Sequence, residues 1–110
     1  MPTPEELDAR IAELEASSRW RDVVRALEER AEIGTHDSRV SALLRLMSLS
    51  LDVFHNQAMA MRAAEDILAL APAHSQAVAF LRDAYQKRRN HKALAELEAR
   101  LADHTRGPYR

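Results

Sequence analysis

Apolar residues recur along this chain at intervals of three and four, with polar residues between them. Leu7, Ile11 and Leu14 form the first stripe, and Trp20, Val23, Val24, Leu27 and Ala31 the second. Val40, Leu43, Leu44, Met47 and Leu51 form the third, and Ala60, Ala64, Ile67 and Leu68 the fourth. Val78, Leu81, Ala84 and Tyr85 follow, and Leu94, Leu97 and Leu101 close the series. This spacing places each set on one face of a helix. It predicts six helices, near residues 4–17, 19–33, 38–54, 56–71, 74–89 and 91–103.

Polar residues mark where these helices begin. Thr3-x-x-Glu6 is a capping box with Pro4 at the first helical position. Ser18, Asp37 or Ser38, Asn56 and Asn90 each stand before a new stripe, where a short polar side chain can accept from free backbone N–H groups. Pro72 requires a further break, because proline lacks the N–H that would continue a helix. Glycine occurs only at Gly34 and Gly107, and strong helix formers fill the rest. The fold class is therefore all-α. Connections are short, so successive helices form antiparallel hairpins, three in all. A single domain is expected over residues 1–103. A flexible tail is expected over 104–110, which contains Gly107-Pro108 and no stripe.

The hairpins repeat. A shift of 34 residues lays Leu44 on Val78, Met47 on Leu81, Leu51 on Tyr85, Asn56 on Asn90, Ala60 on Leu94 and Ile67 on Leu101. A shift of 37 lays Leu7 on Leu44, Leu14 on Leu51, Trp20 on Gln57 and Val23 on Ala60. The longer step accommodates extra residues around Ile33-Gly34-Thr35-His36. The segment Leu44-x-x-Met47-Ser48-x-x-Leu51, followed by Ala60, Ala64 and the run closing at Pro72, resembles the tetratricopeptide repeat. Val78-x-x-Leu81 and Tyr85 continue the resemblance. Arg82 stands where that pattern has a small residue and Glu98 where it has an aromatic, and the first hairpin lacks a closing proline. The resemblance implies an α-solenoid of three stacked antiparallel helical hairpins. One amphipathic hairpin cannot bury its own stripe, so stacked hairpins share a continuous core.

Composition narrows the function classes. The chain has 110 residues, 30% of them charged, and a net charge of -1, which argues against whole-surface attraction to nucleic acid or to an acidic membrane. No apolar run approaches the roughly 18 residues that a bilayer span needs. The start, Met1-Pro2-Thr3-Pro4-Glu5-Glu6, lacks the features of a secretion signal, so the cytoplasm is the expected compartment. There is no cysteine, which removes disulfides and thiolate metal sites.

Little in the chain points to chemistry. His36, His55, His74, His91 and His104 include no pair at helical ligand spacing, so no metal is expected. The pairs Glu5-Glu6, Glu28-Glu29 and Glu65-Asp66 are adjacent on helices and point in different directions. No phosphate-binding glycine loop or nucleophile elbow exists. Neither an enzyme nor a cofactor is expected.

Binding to another protein is expected instead. The resemblance implies that the first helices of successive hairpins line a concave groove for a partner peptide or helix. Carried over, the groove positions are Asp8, Ala12 and Glu15, then Arg45, Leu49 and Asp52, then Gln76, Ala79, Asp83 and Gln86. Leu49 is left over once the core stripe is assigned, which makes it the expected apolar anchor. The excess of acid favours a partner bearing Lys or Arg. Lys87, Arg88, Arg89 and Lys92 form a basic turn with two readings. They either complement a helix dipole or contact an acidic partner or nucleic acid. A structural role is a further alternative, in which the module self-associates as a homo-oligomer or caps a longer solenoid.

Overall fold

The computed structural model describes residues 2–106, which form six helices and no strand. They are α1 (Pro4–Ala16), α2 (Trp20–Arg30), α3 (His36–Asp52), α4 (Gln57–Leu70), α5 (Ser75–Lys87) and α6 (His91–Arg106). All six lie where the apolar stripes predict them. α6 runs three residues beyond the expected limit, so His104–Arg106, assigned above to the tail, are helical; residues 107–110 lie outside the described residues.

Backbone packs against backbone only between helices consecutive in the chain. α6 does not return to α1, so the stack is open, with extents of 46 × 32 × 18 Å. The helices zigzag between two layers, α1, α3 and α5 in one and α2, α4 and α6 in the other. No described helix is long and apolar enough to cross a membrane.

The turn inside each hairpin recurs. Among the described residues, Ser18, His55 and Arg89 are the non-glycine residues with positive φ, at 55°, 48° and 55°, and they stand 37 and then 34 residues apart. Each follows the end of a first-layer helix and reverses the chain. The residue after each one is the N-cap of the next helix. Asn56 accepts from the Met59 N–H at 3.1 Å and Asn90 from the Ala93 N–H at 3.2 Å. Arg19 holds the same place in the first hairpin and makes no side-chain cap. Ser18, expected as that cap, is instead the left-handed residue. Between hairpins the caps are Thr35, in place of the expected Asp37 or Ser38, and His74.

The core runs through all six helices, from Leu7 and Val23 through Ile67 to Leu81 and Leu97. Ser50, Ala60, Ala63 and Ala64 are almost wholly buried and keep bulk out of the central hairpin. Ser50 satisfies its hydroxyl by donating to the Leu46 carbonyl at 2.7 Å.

One position departs from the expected faces. Leu49, assigned above to an open groove, is 3% exposed and belongs to the core. It stands seven residues after Ala42 and shares its face. Both residues are buried, so this face of α3 packs inward. α3 lies against both α2 and α4, and its buried arc is wider than one stripe. Leu44 and Leu51, assigned above to the third stripe, are only half-buried.

Candidate functional site

Helices in the same layer stand apart, and clefts open between them. The first lies between α1 and α3, has a volume of about 340 Å³ and is floored by Leu27 and Arg30 of α2. Asp8 and Glu15 line one side and Arg45 the other, so three of the ten groove positions named from the sequence come together here. Ala12 is exposed on the same helix, and Asp52 is exposed at the last turn of α3. Gln76, Ala79, Asp83 and Gln86 are exposed on α5. Leu49 is absent from this surface because it is buried.

Four of the five charged groove positions, Asp8, Glu15, Arg45 and Asp83, are already paired. Asp8 pairs with Arg30 Nε at 2.9 Å. Arg45 donates from Nε and Nη2 to the two carboxylate oxygens of Glu15, at 3.3 and 3.0 Å, tying α3 to α1. Asp83 pairs with Lys87 at 3.1 Å, one helical turn away. Arg30 is the buried member of this set, 9% exposed. Its Nη1 also donates to the Ile33 carbonyl at 2.7 Å and to Ser38 Oγ at 3.2 Å. One guanidinium therefore holds α1, α2 and the start of α3 together.

A second cleft, of about 270 Å³, lies in the other layer between α2 and α4. Leu43, Leu46 and Ser50 of α3 form its floor, and Val24, Ala31, Met59 and Ala63 its walls. Its rim carries Glu28 on α2, Glu32 in the turn just after it, and Arg62 and Asp66 on α4. None of these four makes an ion pair among the described residues. The sequence reading missed this cleft because it assigned Val24 wholly to the core. The signal was present: Val24, Glu28, Ala31 and Glu32 share one helical face, as do Met59, Arg62, Ala63 and Asp66.

A third inter-helix contact is closed. The Tyr85 hydroxyl of α5 donates to Glu65 of α4, and Arg100 of α6 reaches the same carboxylate at 3.6 Å. Tyr85 is pushed up to about 12 by burial first, then by the hydrogen bond to Glu65 and its charge, against the opposing Arg100.

The basic turn is exposed throughout. Lys87 is paired as above, Arg88 caps the end of α5 and Arg89 is the left-handed residue. Arg88, Arg89 and Lys92 make no ion pair among the described residues. Two of the five histidines bond to backbone: His36 to the Leu70 carbonyl, and His74, which accepts from the Ala77 N–H at 3.4 Å. Among the described residues no three His, Cys, Asp or Glu side chains come together as metal ligands do. Comparison with family models, with curated proteins and with solved structures found no match to this chain.

Proposed function

We propose that this chain is a protein-interaction module of the tetratricopeptide-repeat kind, holding a peptide or helix of another protein in a cleft between same-layer helices. The observation that carries this reading is the open stack. α1 and α3, and likewise α2 and α4, are separated by a cleft whose floor comes from the helix between them. A cleft of that shape suits an elongated segment laid along the helices. The recurrence of the hairpin turn at Ser18, His55 and Arg89 supports the repeat reading, since unrelated hairpins have no reason to share that spacing. Selecting a randomised, displayed peptide library on the intact chain tests it. Enrichment of a motif whose synthetic form binds saturably at one copy per chain supports the module; failure to enrich any motif counts against it.

One observation favours a second reading. Arg88, Arg89 and Lys92 are exposed around a single turn and have no ion-pair partner among the described residues. An acidic partner or a nucleic acid would complement them. Binding of that kind would weaken steeply with salt, and neutralising the three residues would remove it.

A further inference from the structure

Resting on the peptide-binding reading, we propose that the occupied cleft is the one between α2 and α4. Its occupant is a partner segment that inserts an apolar side chain bracketed by Lys or Arg. The two clefts differ in what they leave unsatisfied. In the α1–α3 cleft, Asp8 and Glu15 already hold Arg30 and Arg45. A cationic partner there would have to displace arginines held by the protein itself. At the α2–α4 cleft, Glu28, Glu32 and Asp66 face solvent with no such partner, and Arg62 is the one cation on the rim. The rim therefore carries three acids against one base and is complementary to a basic segment.

The interior of the cleft supplies the rest. Val24 and Met59 are half-buried at its walls over a floor of Leu43 and Leu46. An inserted aliphatic side chain would cover what Val24 and Met59 leave exposed, over a floor that is already largely buried. Met59 adds an unbranched, polarizable wall that adapts to the shape of what enters. The volume of about 270 Å³ lies just below the roughly 300–1,000 Å³ of small-molecule and cofactor pockets. It is of a size for side chains of a peptide. Carboxylates on both lips, Glu28 on α2 with Glu32 in the turn after it and Asp66 on α4, allow cations on either side of the anchor to be met.

The test uses the intact chain, labelled for amide NMR. The probe is a synthetic peptide with Leu at i, i+3, i+4 and i+7 and Lys at the remaining positions. Its counterpart carries Glu for every Lys. The Lys peptide is expected to shift amides around Val24, Leu46 and Met59, and the Glu peptide to shift none. Glu28→Gln, Glu32→Gln and Asp66→Asn together should weaken binding about tenfold at low salt, as three exposed pairs would. The melting curve should stay unchanged, since all three positions are exposed. Met59→Glu should abolish binding. Shifts confined to Ala12 and Ala79 in the other layer overturn this assignment, as does a triple variant that binds unchanged. If the Lys peptide fails while a library-selected peptide binds the α1–α3 side, only this inference falls. If no selected peptide binds any face, the interaction reading falls with it.

Discussion

Arg30 occupies the space that a side chain on Gly34 would need. A Cβ built on Gly34 would stand 2.6 Å from Arg30 Nη1 and 2.8 Å from Ser38 Oγ. The end of an arginine is ordinarily easy to push aside. This one is buried and held by Asp8, the Ile33 carbonyl and Ser38, so it has nowhere to go. The longer step between the first and second hairpins thus has a use: its loop supplies a glycine beside the guanidinium that joins them.

Gly34→Ala should therefore destabilise the fold for two reasons. The φ of +99° is strained for any residue with a Cβ, and the methyl group collides with Arg30. Together these should cost about 1–3 kcal/mol. In an Arg30→Met background the collision with the guanidinium is relieved and the backbone strain remains. The two substitutions should therefore be less than additive. Denaturant midpoints of the four proteins decide; strict additivity would mean that the two residues are not coupled.

The repeat offers a stabilising change as well. Asn56 and Asn90 cap α4 and α6, and Arg19, at the same place in the first hairpin, does not cap α2. Arg19→Asn should supply the missing acceptor and raise stability by about 1 kcal/mol. An unchanged melting temperature would show that the first turn does not adopt the geometry of the other two.

How far the sequence could be read is visible at α3. Helix positions, hairpin order and the repeat step all rest on local signals: spacing within one stripe and caps at the turns. The left-handed residues Ser18, His55 and Arg89 stand 37 and 34 residues apart, the same intervals as the shifts that align the hairpins. Which face of α3 is buried is not a local property. It depends on α3 packing against both α2 and α4. A reading that allowed one stripe per helix therefore left Leu49 outside and placed the groove anchor there. Arg30 was hidden for a related reason, since a buried arginine is legible only once Asp8, Ile33 and Ser38 surround it.

The position of Leu49 is itself testable. As a core residue, Leu49→Ala should cost about 2–5 kcal/mol, the range for emptying a packed site. Ala79→Ser, on the exposed face of α5, should stay within about 0.5 kcal/mol. Equal shifts in denaturant midpoint would contradict the burial of Leu49.

Tyr85 gives the chain a pH dependence whose sign follows from its surroundings. The phenol is 8% exposed and donates to Glu65, an arrangement that favours the protonated form. In the folded state it keeps its proton up to about 12, whereas an unfolded tyrosine releases it near 10. Below about pH 10 both states hold the proton, and the contribution of the buried phenol is complete. As pH rises from there, the unfolded state loses the proton first and stability falls. The loss should approach about 3 kcal/mol once pH passes the folded value, two steps at roughly 1.4 kcal/mol each. Other groups titrate in this range too, so the informative quantity is a difference. Tyr85→Phe removes the proton and the hydrogen bond to Glu65, leaving that carboxylate to Arg100. The variant should be less stable than the parent near neutral pH, by about 1 kcal/mol for the lost bond. Its stability should then decline less steeply above about pH 10, so that the gap narrows and reverses. Denaturation midpoints of both proteins across that range provide the measurement. Parallel curves would mean that the Tyr85 phenol titrates as it does in the unfolded chain, and that its contact with Glu65 carries no weight in the fold.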